Sequence, residues 1–388
     1  MDVKARDAEY IASTYKRFPV ELVGGNGAEL IDSEGKKYID MGSGIAVNTF
    51  GVNDEEWKNA VIAQLNKISH ASNLYYTAPQ TELAEMLCKR TGMKRVFFGN
   101  SGAEANECAI KVARKYASDK YGEMARPMIV TLVNSFHGRT ITTLAATGQD
   151  VFHHNFGPFT AGFLHVPAND IEAMRDALLY HPVCGVMLEM VQGEGGVLPL
   201  EKEYVQAVAK ICEEKDIILI ADEVQTGNGR TGTLFAYEQF GIQPDVVSTA
   251  KGLGGGLPLG ACLMGEKVKD TLGPSSHGST FGGNPVATAG AVSVISRLDE
   301  PFLAEVQRKS EKLIKGLTAI KGVKSVSGMG LMLGIETDKP AGEIIAECMK
   351  RGVLPLTAKT KVRLLPPLVI TDEQIETALS VLKEVIEA

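Results

Sequence analysis

The chain has 388 residues, more than one hydrophobic core usually organises, so two domains sharing an interface are expected. Hydrophobic residues make up 44% and charged residues 22%, which excludes a disordered chain. A net charge of −7 gives no basic footprint for nucleic acid or for an anionic membrane surface, so neither is expected as a partner.

Met1 to Asp7 is charged and lacks the apolar core of a secretion signal, and no apolar stretch approaches membrane-spanning length. Cys88, Cys108, Cys184, Cys212, Cys262 and Cys348 are scattered, with no CxxC pair and no histidine at metal spacing. They read as reduced thiols of a cytoplasmic protein. His153 and His154 are adjacent but belong to no HExxH arrangement, so no metal site is expected.

In chain order, Ala28 to Asp32 and Lys37 to Asp40 predict two short strands. Arg95 to Phe98 predicts a buried strand running into Gly99-Asn100-Ser101-Gly102-Ala103-Glu104. A helix starts there, with Ser101 at the N-cap and Glu104 three positions on. The amides of Ser101, Gly102 and Ala103 would face out of its N-terminus as an anion site, although a plain capped helix fits the same residues. Met128 to Val133 predicts the next strand, followed by Phe136-His137-Gly138-Arg139-Thr140. Phe136 could stack on a planar ring and Arg139 grip a carboxylate; a core-facing ring and an exposed charge is the plainer reading.

Gly185 to Leu188 leads into Glu189-Met190-Val191-Gln192-Gly193-Glu194-Gly195-Gly196-Val197. Glu189 lies in apolar surroundings, so it needs a partner or a task, while Glu194 sits in a glycine-rich loop. Glu203 to Glu214 reads as an amphipathic helix with Val205, Val208, Ala209 and Cys212 on one face.

Two apolar runs then end in chemistry. Ile217 to Ala221 ends in Asp222-Glu223-Val224-Gln225, and Asp245 to Ala250 ends in Lys251, followed by Gly252-Leu253-Gly254-Gly255-Gly256. Alone, the first is a turn-capping aspartate and the second a loop lysine. Together they are what pyridoxal phosphate (PLP) requires: an amine for a Schiff base and an anion for the pyridinium nitrogen.

His277-Gly278-Ser279-Thr280-Phe281-Gly282-Gly283-Asn284-Pro285 offers small hydroxyls ahead of a helix. Helices over Pro301 to Ile320 and Gly342 to Arg351, a strand over Gly330 to Ile335 and short strands around Val353 and Val362 follow. A last helix starts at Thr371, with Gln374 completing a capping box. Arg363 falls in one of the short strands.

Strand–helix alternation makes the fold class α/β, a mostly parallel sheet covered by helices, with ligands beyond the carboxyl ends of its strands. A smaller α+β domain is expected from residues 1–50 and 285–388, around a large PLP-binding domain of residues 51–284.

Six of these segments, in this order, resemble the class III, fold-type I PLP-dependent aminotransferases: Asn100 to Asn106, Phe136 to Thr140, Glu189 to Val197, Ala221 to Gly232, Lys251 with its glycines, and Ser279 to Val286. The resemblance implies that Lys251 holds the cofactor and then shuttles a proton, and that Asp222 pairs with the pyridine nitrogen. Gln225 would bond the phenolic oxygen, within the cofactor-binding stretch that includes Glu223 and Val224. Phe136 would stack on the ring, and Ser101, Gly102 and Ala103 would hold the phosphate. Thr280 would reach the same phosphate from a second subunit, which implies a homodimer with a shared site. Arg139 and Ser279 would bind substrate, Arg363 would bind the α-carboxylate of glutamate, and Glu194 would neutralise Arg363 for the other substrate in a ping-pong cycle. Met190 departs from the family, where proline often follows the first glutamate.

In relatives that use free ornithine, a tyrosine stands two positions before the Ala-Val-Asn stretch; here that position is Gly44. The glycine points to N-acetylornithine as amino donor and 2-oxoglutarate as acceptor, in arginine biosynthesis. Succinylornithine, succinyl-diaminopimelate, ornithine and 4-aminobutyrate remain alternatives. A dehydrogenase reading of Gly252 to Gly256 fails because Leu257-Pro258-Leu259-Gly260 follows instead of a G-x-G-x-x-G helix start. A non-catalytic relative acting as a binding module would have dispensed with Lys251 or Asp222.

Overall fold

The computed structural model describes residues 2–388. A seven-stranded sheet forms its centre, in the order Arg95–Gly99, Gly260–Met264, Val246–Thr249, Ile218–Asp222, Val183–Leu188, Met128–Leu132, Phe163–Val166. All neighbours pair in parallel except Gly260–Met264, which runs against both strands beside it. Val183–Leu188 and Ile218–Asp222 are buried at every position, which is why their sequences are continuous apolar runs without alternation. The mostly parallel α/β sheet is the one expected. Two of its strands were not foreseen. Gly260-Ala261-Cys262-Leu263-Met264 carries residues of poor β-propensity, and Phe163–Val166 is a short edge strand with a histidine inside it.

The helix Gly102–Tyr121 lies across this sheet. Ala105, Ala109, Ala113 and Ala117 recur every fourth position and are all buried, so the helix seats closely on the strands. Gly185 completes the fit, because a Cβ there would come within 3.2 Å of Ala113 Cβ.

The two ends of the chain meet. Val353–Leu354 adds in parallel to Lys37–Asp40, joining a sheet with Glu29–Asp32 and Leu22–Asn26. A second, antiparallel sheet has the order Val323–Met329, Met332–Thr337, Lys361–Leu364, Leu356–Ala358. The expected capping box at Thr371 and Gln374 is formed. The helix Pro285–Arg297, grouped with the smaller domain in the sequence reading, packs against Glu55–Leu65 and Ala78–Thr91.

Between Asp40 and the first of these helices the chain makes a left-handed turn. Ser43, Gly44, Ile45 and Ala46 have φ of 44°, 64°, 66° and 60°. Such a turn costs non-glycine residues roughly 1–2 kcal/mol each, most for β-branched Ile45. Asp40 opposes that cost by accepting the N–H groups of Gly42 and Ser43 at 2.8 and 2.7 Å.

Candidate active site

Lys251 and Asp222 open on one cavity of about 460 Å³ at the carboxyl edge of the central sheet. Its wall includes Ser101, Gly102, Ala103, Phe136, Arg139, Val224 and Gln225, which the sequence placed in the site, together with Val47, Asn106, His137, Glu189 and Leu257 to Leu259. The adjacent strands Ile218–Asp222 and Val246–Thr249 run parallel and end together, with Asp222 opposite Ser248, so the carboxylate and the lysine emerge side by side.

Asp222 is 3% exposed and held on both oxygens. Oδ2 accepts from Asn106 Nδ2 and His137 Nδ1, each at 2.8 Å, and Oδ1 accepts from the Val224 amide at 3.0 Å. Burial works against a charge on His137, but the hydrogen bond and charge of Asp222 outweigh it and hold the imidazole above its ordinary pKa. Lys251 has φ of 46° and opens a short 3₁₀ turn. Burial pushes its ammonium down to about 8, against the opposing pull of Glu194. Nearby, Trp57 Nε1 donates to Gly254 O at 3.1 Å and Thr49 Oγ1 to Gly252 O at 3.0 Å, fixing the glycine loop that follows the lysine.

The expected N-cap at Ser101 is formed, with one change. Ser101 Oγ accepts from the Glu104 amide at 3.2 Å, but the Glu104 carboxylate returns to the Asn100 amide at 2.5 Å, one residue early for a capping box. Among the described residues no side chain caps the amides of Gly102 and Ala103, which stand at the wall of the cavity. Ser279 Oγ accepts from Asn100 Nδ2 at 3.0 Å and so stands beside this turn. Thr280 is exposed and is not part of this chain's own cavity wall.

Glu189 has the partner its setting demanded. Its carboxylate accepts from the Phe136 amide at 2.8 Å and the Gly193 amide at 3.3 Å, tying the aromatic wall to the glycine-rich loop, and burial raises its pKa. Arg139 is exposed at the mouth, its guanidinium 4.3 Å from the centroid of Phe152 and 5.5 Å from that of Phe136. Arg363 is 3% exposed and meets Glu194 at 2.5 Å. Burial would raise the Glu194 carboxyl, but Arg363 holds it below its ordinary value.

Glu223 and Gly44 depart from their expected placement. Glu223 does not face the cavity; it is buried beneath it, accepting from the amides of Ala236 and Tyr237 at 2.9 and 2.8 Å and from Thr226 Oγ1. The expected pairing of Glu194 with Arg363 is present and lies behind Gln225: Gln225 Nε2 donates to Glu194 at 3.2 Å, and Arg363 Nη1 donates to Gln225 Oε1 at 3.1 Å. Gly44 lines a neighbouring cleft, with Val47 in its place at the Lys251 cavity. Its φ of 64° also gives the glycine a backbone reason to be there.

The residues missed by sequence reasoning are Asn106, His137 and Val47. Asn106 carried a signal, a polar side chain on the buried alanine face of a helix.

The assembled groups fit PLP: a buried anion beside a lysine, an aromatic wall, and a helix N-terminus for a phosphate, around a space of cofactor size. Residues 10–386 match the family described as Aminotransferase class-III, and the chain belongs to that family. It is 56% identical over 386 residues to the acetylornithine aminotransferase of Haemophilus ducreyi, covering 99% of this chain and 98% of that one. Among solved structures, the N-acetylornithine aminotransferase of Stenotrophomonas maltophilia superposes with a TM-score of 0.86 at 37% identity, over 99% of this chain and 98% of that one. The ornithine aminotransferase of Toxoplasma gondii, described with partial occupancy of PLP at its active site, gives 0.94 at 31% identity, over 99% and 93%.

Proposed function

We propose that this aminotransferase uses PLP to move the δ-amino group of N2-acetylornithine to 2-oxoglutarate, giving N-acetylglutamate 5-semialdehyde and glutamate in arginine biosynthesis. The observation that carries the reading is the emergence of Lys251 and Asp222 side by side, facing the helix N-terminus at Ser101 to Ala103. When bound, PLP supplies an electron sink that makes the amino-bearing carbon of the substrate acidic. Lys251 takes and returns the proton at its Nζ, a task suited to an amine that titrates at about 8. Asp222, locked by His137 and Asn106, would hold the ring nitrogen and keep it protonated. Gln225 would hold the ring's phenolic oxygen, Phe136 would pack on the ring, and Ser101 to Ala103 would hold the phosphate.

Arg139 at the mouth takes a substrate carboxylate, with Ser279 close by, while the deeper Arg363 takes the α-carboxylate of glutamate. Glu194 covers Arg363 whenever the acylated donor occupies the site. Thr280 serves the site of a second copy, so the working form is a cytoplasmic homodimer. Residues 1–50, with the chain beyond the helix Pro285–Arg297, act as the smaller unit bordering the cleft.

Support for the acetylated donor is the 56% identity to a curated acetylornithine aminotransferase. The test is a donor panel of N-acetylornithine, succinylornithine, ornithine and 4-aminobutyrate with 2-oxoglutarate, read as glutamate formed. N-acetylornithine is expected to dominate, and comparable turnover of free ornithine would sink the assignment. Lys251→Ala is expected to give a colourless, inactive protein.

A further inference from the structure

Arg230 is buried at 3% exposure, and among the described residues no carboxylate stands within ion-pair distance of it. Its donors go to neutral oxygens on three separate segments. Nη1 donates to Leu331 O at 2.9 Å and to Pro366 O at 2.5 Å, and Nη2 donates to Ser43 Oγ at 3.3 Å. Its own carbonyl accepts the Leu331 amide at 2.9 Å. Asp40 is near enough to act on it by charge alone. Such burial is costly, and a guanidinium repays it by spreading several donors across a rigid fork.

The three acceptors are not arbitrary. Met332–Thr337 pairs with Lys361–Leu364 in antiparallel register, Leu333 opposite Leu364 and Gly334 opposite Arg363. Continuing that register by two steps places Leu331 opposite Pro366, the two carbonyls that share Arg230 Nη1. The guanidinium thus closes the end of the ladder that carries Arg363. Gly330 lets this happen: its φ is 57°, and a Cβ there would lie 2.5 Å from Arg230 O. The third contact brings in the left-handed turn. Ser43 Oγ accepts from Arg230 and donates to Leu365 O at 2.6 Å, and the Leu365 amide donates to Met41 O at 2.7 Å. Four residues beyond Ser43, Val47 forms part of the Lys251 cavity wall.

We propose that Arg230 is a positioning residue for the glutamate half of the reaction, fixing the depth and direction of Arg363 by fastening the end of its ladder and the Ser43 turn to the loop that follows Asp222. It touches neither substrate nor cofactor. The proposal rests on the reading of Arg363 as the α-carboxylate site.

The test uses the PLP-loaded enzyme and compares Arg230→Lys, Ser43→Ala and Arg363→Ala with the parent. Read-outs are KM for glutamate and for N-acetylornithine in separate half-reactions, the cofactor absorption spectrum, and Tm. Arg230→Lys keeps the charge but loses the fork, and it is expected to raise KM for glutamate about tenfold, with KM for the donor within about twofold and the resting spectrum unchanged. Ser43→Ala, which removes one relay hydroxyl, is expected to raise it about threefold. If Arg230→Lys does not fold, Ser43→Ala decides alone. A lowered Tm with both KM values unmoved, or moved equally, makes Arg230 a fold stabiliser and overturns the proposal. If Arg363→Ala leaves KM for glutamate unchanged, the reading of Arg363 fails and this proposal with it. If Arg363→Ala raises it while the other two variants do not, this proposal alone fails.

Discussion

Glu194 Oε1 lies 2.5 Å from Arg363 Nη1, and Gln225 bonds both partners from the cavity side. Glu194 therefore covers a buried cation, and Gln225, which bridges the two, itself lines the cavity.

Opening the cover should favour the dicarboxylate. A charged hydrogen bond contributes about 1.5–3 kcal/mol, so Glu194→Gln is expected to lower KM for glutamate about tenfold and raise it for N-acetylornithine. Arg363 would then be buried with weaker compensation, and Tm should fall. Half-reactions followed by absorbance check this; unchanged KM values for both substrates would remove Glu194 from any switching role.

Lys251 should titrate low in the cofactor-free protein. Below about 8 its ammonium dominates and is not a nucleophile; above that value the free amine dominates. The rate at which apoprotein captures PLP is expected to climb about tenfold per pH unit up to that point and then level off. Stopped-flow absorbance across pH gives the midpoint. A midpoint at the ordinary lysine value of 10.5 would show that the amine is not desolvated.

Gly260→Ala should damage the anion site without touching a reacting group. A Cβ at Gly260 would collide with Ser101 O, directly under the turn that presents Gly102 and Ala103. The variant is expected to bind PLP at least about tenfold more weakly, measured by fluorescence titration, because the helix start must move. Wild-type affinity would mean that the turn gives way at no cost to the phosphate.

Asp222→Asn keeps the shape and deletes the charge. The half-reaction with glutamate should slow by about 10²–10³, the usual loss when a preorganised electrostatic partner is removed. His137, whose pKa Asp222 holds up, should titrate lower in the variant, and an NMR titration reads this without reference to activity. An unmoved His137 would argue that the contact is not electrostatic.

The sheet was legible because its strands are buried on both faces and so appear as unbroken apolar runs, as at Val183–Leu188. The site was legible where chemistry follows a strand end directly: Ser101 to Ala103, Phe136, Asp222 and Lys251 all stand on or just past one, and all line one cavity. Three-dimensional direction was not legible. Glu223 follows Asp222 yet points the opposite way, as adjacent residues leaving a strand do. Gly44 lies close in sequence to Val47, but a left-handed turn separates them into different clefts, and no residue type announces such a turn when Ile45 takes part in it. Arg230 gave no sign of its reach, because its partners are backbone carbonyls far along the chain.

The one reversed strand of the central sheet also has a mechanical meaning. Since Gly260–Met264 runs back beside Val246–Thr249, with Thr249 opposite Ala261, the segment from Lys251 to Leu259 leaves and re-enters the sheet at the same edge. Its far side is pinned in turn, Gly260 opposite Gly99 at the foot of the anion turn. A pull on this segment is shared between two ladders, so the lysine's Cα is a fixed pivot. Any swing of the amine is then rotation about an aliphatic stem, on the timescale of a rotamer change.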